Sequence, residues 1–77
     1  MGEKRCDIYK QVGLRIGYYR RLRRYTKEEL AEKIDRSTTF ISSIEAANVK
    51  QGISMDTFLD IAKALDVEPY KFFIKED

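Results

Sequence analysis

The chain has 77 residues, 43% hydrophobic and 36% charged, with a formal net charge of +2. That length is expected to form one domain with a small core. With no histidine and a single cysteine, Cys6, imidazole and thiol catalysis, an internal disulfide and the usual zinc sites lack the groups they need, and no cofactor is expected.

A lone cysteine fits a reducing cytoplasm. No apolar run approaches the roughly 20 residues that span a bilayer, and the start is not patterned as a signal peptide, so no membrane partner is expected. The charge is unevenly placed. Residues 1–27 carry nine Lys/Arg against Glu3 and Asp7, whereas residues 28–77 carry six against eleven acidic groups. A basic half followed by an acidic half points one face at an anion, although each single charge also fits a solvated helix face.

Residues 1–6 read as a polar tail, residues 7–74 as the domain and residues 75–77 as a second tail. Asp7 can cap a first helix over residues 8–23, with Ile8, Val12, Ile16 and Tyr19 recurring on the core face. Gly13 and Gly17 weaken that helix in isolation, and glycine in a helix lets a neighbour pack close. Leu14, Tyr18 and Leu22 recur on the opposite face. Either the tails fold over this stripe or it is a subunit interface. The helix ends in Arg20-Arg21-Leu22-Arg23-Arg24, where the helix dipole favours cations by ~0.3–1 kcal/mol each.

Thr26-Lys27-Glu28-Glu29 is a capping box that starts a second helix, whose apolar stripe is Leu30, Ala31 and Ile34. Asp35-Arg36-Ser37 makes a corner: Asp tolerates the left-handed conformation and Ser37 is a strong N-cap. In the third helix Phe40, Ile41 and Ile44 form the apolar side, while Thr38, Thr39, Ser42 and Ser43 point outward. Helices this short need packing from the rest of the chain. A face of four hydroxyls without a charge suits close approach to another surface, although the same residues also fit a plain solvent-exposed face. The connection over residues 46–53 carries Asn48, which can take a left-handed cap, and Lys50. Ser54 caps a fourth helix with Phe58, Ile61, Ala62 and Leu65 inward. Pro69 opens a fifth, which is expected to bring Phe72, Phe73 and Ile74 to the core. Glu28, Glu29 and Glu32 cluster on one helix and are expected to solvate it, not to act as acid and base.

The stretch over residues 26–45 resembles the helix-turn-helix of the phage repressor and Cro family. Thr26, Glu29, Leu30, Ala31, Ser37, Ile41, Ser42 and Glu45 stand at matching positions, and the likeness extends over residues 12–73. The resemblance implies an all-α, compact five-helix, lambda-repressor-like domain whose second and third helices form the motif. It implies double-stranded DNA as partner, with Thr38, Thr39 and Ser43 at base-reading positions and Ser42 near the rim. Thr26, Lys27, Arg36, Phe40, Asn48 and Lys50 are the implied phosphate contacts. Arg20 and Glu45 match a structural ion pair of the family, and Arg24 stands where the family usually has a Gly corner. A homodimer is implied, formed through the Leu14, Tyr18 and Leu22 face or through Phe73 and Ile74. Repression by blocking polymerase is the implied action, with a regulatory protein as a further partner. The competing expectation is a helical protein-interaction module, antitoxin-like or anti-repressor-like, that has lost its operator.

Overall fold

The computed structural model describes residues 2–46 and 53–74, with side chains from Ile8 onward, so the expectations for Asn48, Lys50 and the 75–77 tail lie outside it. The described residues form α1 (Gly2–Leu22), α2 (Lys27–Lys33), α3 (Thr38–Glu45), α4 (Met55–Leu65) and a single 3-10 turn, Pro69–Phe72. All regular structure among them is helical.

Local chemistry sets the starts of the short helices. Thr26, Ser37 and Ser54 each sit in extended backbone, and each side-chain oxygen accepts from the amide three residues on. At Thr26 the box is reciprocal, since its own amide donates to Glu29 Oε1 at 2.7 Å. At seven and eight residues α2 and α3 are below the length that holds alone in water, so tertiary burial must stabilise them. Ile16, Leu30, Ile41, Ile44, Ile61, Leu65 and Phe72 are fully buried, and each such side chain contributes ~1.5–3 kcal/mol by leaving water. Phe72 meets Tyr19 and Phe58 edge to face, at centroid distances of 5.4 and 5.3 Å.

Gly13 decides how closely α1 approaches α3. A Cβ at Gly13 would fall on the Ile44 carbonyl oxygen, so only glycine permits this crossing. Three corners use left-handed backbone without glycine: Arg24 (φ 64°), Asp35 (φ 59°) and Asp66 (φ 58°). Asp suits that conformation through its short polar side chain; the long Arg24 side chain has no such advantage.

The structure corrects the expected elements in three places. α1 begins at Gly2, so residues 2–6 are helical and Asp7 lies inside the helix instead of capping it. Ile8 is 51% exposed, because at that level α1 only borders a shallow groove with Tyr9, Met55 and Phe73. The fifth helix is a 3-10 turn. The turn ends at Phe72, which lies in the core, and Phe73 and Ile74 follow it exposed. Gln11 Nε2 and Arg15 Nη2 donate to the Ile74 carbonyl at 3.2 and 2.9 Å, so α1 side chains satisfy this end of the chain.

Candidate nucleic-acid interface

Helix α3 buries Ile41 and Ile44 and turns its hydroxyl side outward: Thr39 is exposed, and Thr38, Ser42 and Ser43 are half-exposed. Among the described residues none of these four hydroxyls has a hydrogen-bond partner, so each is available to a ligand as donor and acceptor. None can offer the two-pronged pairing of Arg with guanine or Gln with adenine. Contact through them is short-range and tolerant, with a Thr methyl able to meet a thymine methyl.

The C-terminal end of α3 is fixed from α1. Arg20 Nε donates to Glu45 Oε2 at 2.6 Å and Arg20 Nη2 to Glu45 Oε1 at 3.1 Å, with both side chains about nine-tenths buried. The third nitrogen, Nη1, donates to the Tyr25 carbonyl at 2.8 Å, directly before the cap of α2. One guanidinium therefore joins α1, the entry to α2 and the end of α3. The fork geometry of arginine makes this arrangement available where lysine would not.

The N-terminal end of α3 is held by lighter means. Ser37 Oγ accepts from the Phe40 amide at 3.1 Å. Arg36, expected at the DNA backbone, donates from Nη2 to Thr57 Oγ1 at 3.0 Å and lies over the Phe40 ring at 5.0 Å. The buried Thr57 also accepts from Ser54 Oγ at 2.9 Å, which ties the corner to the start of α4. Arg36 is still solvent-exposed, so its remaining donors face outward.

The other expected positions separate. Thr26 is exposed and Lys27 half-exposed at the start of α2. Leu14, Tyr18 and Leu22 are 62%, 47% and 56% exposed, with Tyr18 edge to face on Tyr19. Leu14 lines a cleft with Lys27 and Ser42, whereas Phe73 lines the groove beside Ile8 and Met55. Roles set by distant packing were missed, that of Arg23 among them. Arg23, grouped with the basic cluster, closes α4 by donating to the Leu65 and Asp66 carbonyls at 2.7 and 2.9 Å. The partner lies more than forty residues away, so no local pattern announces it. Arg24 keeps an exposed side chain on its left-handed backbone.

Two short helices meeting at a left-handed corner, the second braced by a buried ion pair and showing free hydroxyls, define a helix-turn-helix. The family profile described as Helix-turn-helix matches residues 16–72, and the chain belongs to that family, in its XRE-like branch. Among solved structures it is similar to a chain of a "SinR protein/SinI protein complex", 31% identical with a TM-score of 0.73 over 83% of this chain. The chain covers 61% of that relative's length. No curated protein matches it.

Among the described residues no helix is long and apolar enough to cross a membrane.

Proposed function

We propose that the protein is a cytoplasmic repressor that binds a pseudo-palindromic operator as a symmetric homodimer. The observation that carries this is the unpartnered hydroxyl face of α3, held outward by the Arg20–Glu45 brace. In this reading the N-terminal part of α3 enters the major groove and sets Thr38, Thr39 and Ser43 against base edges, with Ser42 at the rim. Thr26, Lys27 and the outward donors of Arg36 hold backbone phosphates, with Phe40 supporting Arg36. Single hydroxyl contacts discriminate weakly, so the shape and deformability of the site carry much of the choice of sequence.

One domain of this size presents too little surface for tight binding, and two copies with half-sites ~34 Å apart, or a multiple of that, supply the remainder. The exposed Leu14, Tyr18 and Leu22 stripe and the exposed Phe73 and Ile74 are the surfaces from which the dimer contact is drawn. The test is selection of bound duplexes from a random pool, then footprinting of the winner. A two-fold symmetric winner protected over two half-sites supports the proposal; failure to enrich any sequence sinks it.

A second reading has one specific support: the similar solved structure is of a complex between two proteins. A regulatory protein partner docking on an exposed apolar surface of this chain, with or without displacement from DNA, follows from that likeness.

A further inference from the structure

A shallow cleft separates α1 from the two helices of the motif and is lined by Leu14, Gly17, Arg21, Lys27, Ser42 and Glu45. Its floor depends on Gly17. A Cβ there would lie 3.1 Å from Glu45 Oε1 and 3.2 Å from Arg21 Nη1, so both side chains draw in over the bare glycine. A larger residue here would make the Arg21 and Glu45 side chains give way by a few tenths of an ångström.

The carboxylate on that floor is already neutralised, because Glu45 accepts from Arg20 with both oxygens. The guanidinium of Arg21 and the ammonium of Lys27 have no hydrogen-bond or ion-pair partner among the described residues. Two unpaired cations and the Ser42 hydroxyl therefore line one cleft at the edge of the reading helix. Cations beside a hydroxyl, over a carboxylate with no charge to spare, match a phosphodiester: the arginine fork takes two oxygens and the lysine adds a point charge.

We propose that Arg21 and Lys27 clamp one backbone phosphodiester in each half-site, seated in this cleft, with Leu14 against the adjoining sugar. The proposal rests on the DNA-binding reading and deepens it by adding Arg21, a residue of α1, to the contact surface. Ser42 supplies the connection, since it faces both the cleft and the rim of the base-reading surface. A duplex seated on Thr38 and Thr39 brings a strand ridge past it. On this account the near end of the Leu14, Tyr18 and Leu22 stripe abuts DNA, which leaves its far end to other partners.

The test uses the full chain and the duplex selected from the random pool, titrated at several salt concentrations. The slope of log affinity against log salt should fall in magnitude by about two for the Arg21→Ala, Lys27→Ala double variant, since each half-site loses one phosphate contact worth roughly −0.9, and by part of that for Arg21→Ala or Lys27→Ala alone. Arg21→Lys, which keeps the charge, should retain most of the slope. Lys63→Ala is the control: it removes an equal charge from α4, in a groove with Lys33 and Asp60, and should leave the slope unchanged. Ethylation of a single phosphate per half-site should weaken the wild type more than Arg21→Ala, and should leave the Arg21→Ala, Lys27→Ala double variant unaffected. Overlaid circular dichroism melts establish that the exposed substitutions leave the fold intact.

An unchanged slope for Arg21→Ala, with the wild type still salt-dependent, overturns the clamp and leaves DNA binding standing. Equal slope losses for Arg21→Ala and Lys63→Ala overturn it too, since only net charge would then matter. Loss of an acidic protein partner in Arg21→Ala, with the DNA slope intact, would assign the cleft to that other class and overturn it as well. Absence of any salt-dependent duplex binding by the wild type overturns both readings together.

Discussion

The two ends of α3 are held in opposite ways. At the C-terminal end a guanidinium with three bonds, a buried carboxylate and the bare backbone of Gly13 fix the helix against α1. At the N-terminal end one serine cap, one Arg–Thr bond and a ring contact suffice, and Ser37 and Arg36 are exposed. In the DNA-binding reading proposed above, the firm end is the one away from the bases and the lightly held end is the one that reads.

The sharpest way to break this contrast is at the firm end. Glu45→Ala would leave Arg20 nine-tenths buried and unpaired, and should cost about 3–5 kcal/mol in urea denaturation, a large part of what a domain this size has. Replacing both partners by apolar residues should recover much of that loss. A double variant as unstable as Glu45→Ala would show that the pair's packing, not its charge, matters.

Gly13→Ala comes next. Its methyl group would meet the Ile44 carbonyl and push α3 away, for an expected cost of ~1–3 kcal/mol in the same assay. A neutral result would mean that α1 can bend away without loss. At the light end, Ser37→Ala removes one cap bond and should cost about 1 kcal/mol.

Arg24→Gly should act in the other direction. Relief of a left-handed, non-glycine corner outweighs the added freedom of the unfolded chain, so a gain of about 0.5–1 kcal/mol is expected, or several degrees in Tm. Smallest in stability is Thr39→Ala, an exposed change expected within about 0.5 kcal/mol. Its effect belongs in a binding competition, where the variant should discriminate less among duplexes than the wild type. Unchanged discrimination would remove Thr39 from the reading surface.

What was legible in the sequence divides along the same line. Caps at Thr26, Ser37 and Ser54, and the left-handed Asp35, depend on neighbours a few residues away, so local pattern finds them. The family resemblance implied the pairing of Arg20 with Glu45, which periodicity could not have given. Contacts set by distant packing stayed hidden. Arg23 closing α4, Arg36 bonded to Thr57, and Gln11 and Arg15 holding the Ile74 carbonyl all join residues that share no local pattern. Phe73 and Ile74 misled because the pattern assumed a full α-helix after Pro69, whereas the regular structure stops at Phe72 and both residues lie beyond it, exposed. On the reading face the residues were visible but their partners were not, because a hydroxyl does not state what it will touch.

The three bonds of Arg20 have one more consequence. Because they tie α1 to the entry of α2 and the end of α3 without involving any of the four hydroxyls of α3, those positions are free to vary on a fixed mount. On the DNA-binding reading proposed above, rewriting residues 38, 39, 42 and 43 should redirect the protein to new duplex sequences while circular dichroism melts stay close to those of the wild type.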